Sequence, residues 1–189
     1  MIPGLGDAVI LMAIVTLHWR MQGLTPVVIS LDWERGNSFD PKLNKVLDLI
    51  DQFVKEGHKV SLVGASAGSC AVINAFVDRK ENINKVISIS GRLRTGSSED
   101  LISFQDEKTK SPAFADAVAH TMKIENKISS ADRNRILTTR SSFIDSLVPF
   151  STSTIENVQN IDIPAHGHLF SIFIALTFWS KPLIDFLKK

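Results

Sequence analysis

Lys59-Val60-Ser61-Leu62-Val63 runs without a break into Gly64-Ala65-Ser66-Ala67-Gly68. The first five residues are β-branched or apolar at most positions and read as a buried strand. From Ser66 to Asp78 the residues are small or apolar, the composition of a tightly packed helix. A strand, a five-residue turn with glycine at both ends and then a helix form the context in which Gly-x-Ser-x-Gly acquires chemical meaning. The turn is sharp, so large side chains at 64 and 68 would collide with the neighbouring strand and helix. It lifts the serine hydroxyl above the carboxyl end of a sheet and places it at a helix amino terminus, where developing negative charge is favoured. Ser66 is therefore the candidate nucleophile, and the Ala67 amide a candidate oxyanion donor.

The rest of the chain repeats the alternation. Residues 26–31, Pro-Val-Val-Ile-Ser-Leu, read as a buried strand, with Gly23 closing a helix before it. Residues 41–56 carry Leu43, Val46, Leu47, Ile50 and Val54 at helical spacing, with Asp40 as the expected cap and Pro41 in the first turn. Residues 85–90, 135–139 and 158–163 read as further strands. Leu169 opens a helix, and a last short one starts at Pro182. Alternating strands and helices predict a parallel sheet with helices on both faces, an α/β three-layer sandwich. Residues 92–134 break the pattern. They are polar, carry Gly96-Ser97-Ser98, and show a helical signal only over 112–124. They are expected to form a short helical insertion over or beside the site, within one domain covering 1–189.

Bulk properties exclude several classes. The 189 residues are 44% hydrophobic and 22% charged, ordinary globular usage, and a net charge of +1 argues against nucleic acid or an anionic surface. Lys188-Lys189 reads as a solvated helix end. Cys70 is the only cysteine and cannot close an internal disulfide, so a stapled secreted scaffold is excluded; it reads as a small core residue. The apolar runs 8–17 and 169–179 are each about half a membrane span. The expectation is a cytoplasmic protein without stable membrane insertion. No metal-ligand spacing or phosphate loop is present, so no cofactor and no metal is implied.

A serine hydroxyl needs a base. His18, His58 and His120 fall in a helical pattern, a turn and the insertion, and read as structural or exposed. His166 and His168 fall between the last strand and the last large helix, in Pro164-Ala165-His166-Gly167-His168-Leu169. His168, directly before the apolar helix, is preferred as base, with His166 at the rim. The base needs a carboxylate. Asp145, in Phe143-Ile144-Asp145-Ser146-Leu147-Val148-Pro149, follows a strand and completes the order Ser66, Asp145, His168. Asp162 is closer in sequence to His168 but lies on the expected strand, facing away. Pro3-Gly4-Leu5-Gly6-Asp7 is a glycine-rich loop before a helix. Leu5, and after it Gly6, would supply the second oxyanion amide, and Asp7 would cap the helix.

These four segments, in this order and spread from one end of the chain to the other, resemble the α/β-hydrolase superfamily, in particular its small, nearly cap-less esterase- and lipase-like members. The resemblance implies a serine hydrolase of esters or thioesters working through an acyl-enzyme. Ser66 would attack, His168 would act as base and then acid, Asp145 would orient it, and the Leu5 and Ala67 amides would hold the oxyanion. Gly4, Leu5, Phe143, Leu147 and Leu169 are the expected substrate contacts. Trp33 is expected either in the cleft or in packing. The expected partner is a small-molecule acyl ester, with a homodimer left open. Rival readings are a non-catalytic binding protein on the same fold and an acyltransferase using the same elbow. In this family the glycine-rich loop follows a central strand, whereas only Met1-Ile2-Pro3 precede Gly4 here. The expectation is a sheet whose N-terminal strands are missing or truncated, with an upstream segment or another chain filling the gap. Each buried backbone group left unpaired there would cost ~1–3 kcal/mol.

Overall fold

The structure, a computed structural model, describes residues 1–97 and 100–189, with backbone alone for 100–103. Ser98, expected within the insertion, and Glu99 lie outside the described residues. In chain order the elements are α1 (Val9–Val15), α2 (Asp40–Lys55), β1 (Val60–Ala65), α3 (Gly68–Asp78), β2 (Ile83–Ile89), α4 (Asp100–Lys110), α5 (Pro112–Ile124), α6 (Ser130–Arg133), β3 (Ile136–Ser141), β4 (Gln159–Ile163), α7 (His168–Leu176) and α8 (Lys181–Lys188).

The four strands form one parallel sheet in the order β1-β2-β3-β4. Leu62 lies opposite Val86, Val86 opposite Ile136, and Thr139 opposite Ile161. Successive strand residues point to opposite faces, so each central strand feeds two cores. Leu62, Val86 and Ile136 pack with Val46, Ile73 and Val118 from α2, α3 and α5. Val63, Ile87 and Leu137 pack with Met12, Leu176 and Ile184 from α1, α7 and α8. Burial on both faces is why these strands read as nearly continuous apolar runs. The carboxyl ends of β1 and β3 and the loop after β4 lie at one edge of the sheet, where the site forms.

Several local expectations are corrected by the structure. Residues 26–31 do not form a buried strand. They carry no regular element and lie half-exposed beside Met1 except for buried Leu31, with two backbone bonds, Met1 N to Val27 O at 2.6 Å and Ile29 N to Met1 O at 3.0 Å. Strand pairing needs a neighbour that continues, and among the described residues Met1 is the only one whose backbone bonds the backbone of this segment. The N-terminal segment in turn meets β1 through a single parallel bridge, Ile2 to Gly64. Asp40 does not cap α2. It lies inside the helix, the cap position is Phe39, and Asp116 Oδ2 accepts from Phe39 N at 2.9 Å. Trp33 takes the packing role: it is fully buried, stacked on Phe39, and donates through Nε1 to Pro3 O at 3.3 Å.

The insertion contains two helices that sequence periodicity did not reveal, α4 and the single turn α6. Tertiary contacts hold α4: Phe104 packs edge-on against Phe114 of α5, and Glu107 pairs with buried Arg92.

Candidate active site

β1 delivers Ser66 into a left-handed backbone conformation, φ 52°, rare for a residue with a side chain. The strain is held from both sides. Ser66 N donates to Ile89 O of β2 at 2.9 Å, and Ser66 O accepts from Ser69 N at 3.0 Å in the first turn of α3. The turn is also crossed at close range by the N-terminal segment. A Cβ on Gly68 would lie 2.2 Å from Ile2 O, so only glycine lets that segment pass. α3 itself begins at Gly68, two residues later than expected, because Ser66 and Ala67 form the turn.

The three expected catalytic side chains, remote in sequence, are brought into one line. His168 opens α7 immediately after Gly167, whose φ of 74° turns the chain toward the elbow. Its Nε2 is 2.8 Å from Ser66 Oγ, and its Nδ1 is 2.9 Å from Asp145 Oδ2. A carboxylate has no proton to give, so Nδ1 carries the hydrogen and Nε2 is left to accept from the serine hydroxyl. Asp145 is fixed by its other oxygen, which accepts from Leu147 N at 3.0 Å and Val148 N at 2.9 Å. Burial works to raise the Asp145 pKa. The His168 hydrogen bond and charge and the two amides outweigh it and hold the carboxyl below its ordinary range. The acid and base loops are tied together by Gly167 N donating to Ile144 O at 3.3 Å.

His166 is exposed and stacks on Phe143 with ring centroids 3.8 Å apart, a rim position. Asp162 faces away and pairs with Arg140 at 2.6 Å. His18, His58 and His120 all lie in structural or surface settings: against Trp19, beside Glu56, and edge-on to Phe39.

The glycine-rich loop meets the elbow. A Cβ on Gly4 would sit 2.8 Å from Ser66 Cβ. Among the described residues, neither the Leu5 amide nor the Ala67 amide donates to another backbone carbonyl. Asp7, in contrast, does not cap α1. The cap position is Ala8, with no side-chain bond; Asp7 has φ 46° and its Oδ2 accepts from Ser30 Oγ. It ties the loop to residue 30 instead.

Of the expected substrate contacts, three form an exposed apolar rim. Phe143, Leu147 and Leu169 are 51, 48 and 77% exposed. A cavity of about 410 Å³ lies behind the acid loop, bounded by Phe143, Asp145, Val148 and Phe150. A larger one of about 560 Å³ lies at the other end of β1, between Val60, Val27 and Phe53, and touches none of the three catalytic candidates.

Sequence reading missed a buried ion pair beneath the site. Arg92, 1% exposed, follows β2 and lies 3.3 Å from Glu107 of α4, while its guanidinium donates to Leu147 O at 3.1 Å. It thus anchors the acid loop to the insertion. Burial raises the Glu107 pKa, and the Arg92 charge opposes that rise. No local pattern marks such a pair, because its members are fifteen residues apart and lie on different elements. Cys70 is a core residue as expected. Its Sγ donates to Arg92 O at 3.0 Å, and burial pushes its thiol up to about 12.

No family model and no curated protein sequence matches this chain. Solved structures do. One, from work on LipS and LipT, two metagenome-derived lipolytic enzymes, superposes with a TM-score of 0.67 at 12% identity, over 97% of this chain and 88% of that one. The hydrolase olei00960 from Oleispira antarctica gives 0.64 at 17% identity, over 100% and 89%. Est1E from Butyrivibrio proteoclasticus gives 0.62 at 15% identity, over 100% and 87%. The chain has the α/β-hydrolase fold.

Proposed function

We propose that the chain is a serine hydrolase that cleaves a carboxylic ester or thioester through an acyl-enzyme on Ser66, with His168 as base and Asp145 as its orienting acid. The observation that carries this reading is the line Asp145–His168–Ser66, with contacts of 2.9 and 2.8 Å, at an elbow whose serine has φ 52°.

Ser66 Oγ attacks the carbonyl carbon while its proton passes to His168 Nε2. Asp145 stabilises the imidazolium that results. The carbonyl oxygen becomes an oxyanion held by the amides of Ala67 and Leu5. Collapse of the tetrahedral centre breaks the bond to the alcohol or thiol, which leaves with the proton from His168. Water then attacks the acyl carbon while giving its proton to His168, and collapse breaks the bond to Ser66 Oγ, which takes that proton back as the acid is released. The apolar rim of Phe143, Leu147 and Leu169 supports an apolar acyl chain as the group bound.

A fluorophosphonate probe tests the reading. Labelling of the parent, its absence in Ser66→Ala, and loss of short-chain nitrophenyl ester turnover in that variant are the expected results. A parent that neither labels nor turns over such esters would remove it.

A further inference from the structure

Arg92 leaves β2 on a fixed base. Ser90 N donates to Thr139 O at 2.9 Å, Leu93 N to Thr152 O at 2.8 Å, and Cys70 Sγ to Arg92 O at 3.0 Å. Gly91 passes so close to α3 that a Cβ on it would lie 2.1 Å from Ser69 Cβ. From this base the Arg92 side chain runs buried beneath the site. Two residues of α4 engage it. Glu107 Oε2 lies 3.3 Å from its Nε, and its guanidinium carbon stands 5.3 Å from the centre of the Phe104 ring, a cation–π distance. Its Nη2 donates to Leu147 O at 3.1 Å.

The acid loop lacks a scaffold of its own. Residues 142–149 carry no helix or strand, Phe143, Ile144 and Leu147 are exposed, and the cavity of about 410 Å³ opens beside them. The bond from Arg92 falls at the point that matters for the acid. Leu147 C=O and Val148 N–H belong to one planar trans peptide, in which they point in opposite directions. Arg92 holds the oxygen of that peptide, and its N–H donates to Asp145 Oδ1 at 2.9 Å. Rotation of the peptide would carry the donor off the carboxylate whose other oxygen holds His168 Nδ1. A guanidinium on the carbonyl also polarises the peptide and strengthens the bond its N–H makes. Glu107 feels the charges of both Asp145 and His168, and its pairing with Arg92 offsets a negative charge that would otherwise oppose the one on Asp145. An apolar pair of the same volume would often hold a fold as well as a buried ion pair or better. It could not bond the Leu147 carbonyl.

We propose that Arg92 is a positioning residue: gripped by Glu107 and Phe104 of α4, it sets the Asp145 carboxylate through the Leu147–Val148 peptide, so that the insertion governs how firmly His168 is oriented. The geometry stands by itself; its effect on turnover rests on the hydrolase reading above.

The pair is best removed as a pair, because Arg92→Met alone would leave Glu107 buried and uncompensated. Arg92→Met/Glu107→Leu is therefore compared with the parent, both with Asp145 intact and with Asp145→Ala, once circular dichroism shows each to be folded. With Asp145 intact, the pair variant is expected to lower kcat for a short nitrophenyl ester and the rate of fluorophosphonate labelling by about 10- to 100-fold, the scale of a small misplacement in a site. KM is expected to stay within about twofold. In the Asp145→Ala background the same replacement should change both rates by less than about twofold, because residues that act through one another do not add; a merely structural role would slow both backgrounds alike. A second readout needs no turnover. The Nδ1 proton that His168 shares with Asp145 should give a far-downfield proton resonance in the parent, absent from Asp145→Ala and lost or broadened in the pair variant. Should the pair variant not fold, Arg92→Lys, which keeps the charge but gives up the planar fork, is carried through the same measurements with the same direction expected. Equal cost in both Asp145 backgrounds, or parent-like rates or a parent-like resonance in the folded variant, would overturn the proposal. A parent without turnover whose resonance is lost in the pair variant would remove the hydrolase reading and leave the positioning role standing. A parent without turnover and without the resonance would overturn both.

Discussion

Gly4 and Ser66 touch: a Cβ on the glycine would lie 2.8 Å from the serine Cβ and 3.2 Å from its Oγ. The loop that carries Leu5 is therefore seated directly on the turn of the proposed nucleophile. Gly4→Ala must push the two apart. Displacing one oxyanion donor costs about 10²–10³ in kcat in comparable sites, so kcat for a short nitrophenyl ester is expected to fall at least tenfold, with KM changed by less than about threefold. A rise in KM at constant kcat would assign Gly4 to substrate packing only.

Asp145→Asn keeps the shape of the acid but removes the acceptor that holds the hydrogen on His168 Nδ1. The imidazole can then present a hydrogen to Ser66 where it should accept one. Turnover is expected to drop roughly 10⁴-fold, and fluorophosphonate labelling to slow in parallel. Equal labelling rates in variant and parent would separate Asp145 from the mechanism.

The same carboxylate gives stability a pH dependence of known sign. Its pKa is lower in the folded protein than in the unfolded chain. Its contribution is therefore present above the ordinary carboxylate range and is lost as pH falls through the folded-state value. Urea midpoints at pH 6 and pH 3 should differ less in Asp145→Asn than in the parent.

Cys70, with its thiol at about 12 and fully buried, should not react with a disulfide reagent at pH 8 while the protein is folded. One thiol should titrate after denaturation in guanidinium. Rapid reaction in the native protein would contradict its packing.

Asp132 closes a capping box on α6, accepting from Ser129 N and Ser129 Oγ, and also accepts from Lys80 Nζ at 2.7 Å. Asp132→Ala is expected to cost ~1–3 kcal/mol, read as a lower urea midpoint. Because it sits before the amino end of β3, away from the elbow, kcat/KM should not change.

The parts legible in the sequence were those whose physics is local. The run from Val60 to Gly68 needs only β-branched residues, small residues and two glycines, and it formed as read. β2 and β3 were legible because burial on both faces keeps them largely apolar or β-branched, whereas β4 is an edge strand with Gln159, Asn160 and Asp162 exposed; His168 was legible because it stands at the start of an apolar helix. The missed features depend on partners far along the chain. Asp7 is a good cap by residue type, yet Ser30 takes its carboxylate. Asp40 is a good cap by the same rule, yet Asp116 from α5 binds the Phe39 amide. Residues 26–31 have strand composition, but a strand exists only where a neighbouring backbone continues to pair with it.

From the sequence alone follow a parallel α/β sheet, the position of the serine turn, and the order Ser66, Asp145, His168. These depend on side-chain periodicity and on the small set of residues that a sharp strand-to-helix turn tolerates. Tertiary structure alone decided that Nε2 and Nδ1 of one imidazole reach Ser66 and Asp145 at the same time, that Arg92 and Glu107 lie under the acid loop, and that one peptide joins Arg92 to Asp145. Distances and exposure of this kind are set by how separate elements pack, and no stretch of chain carries them by itself.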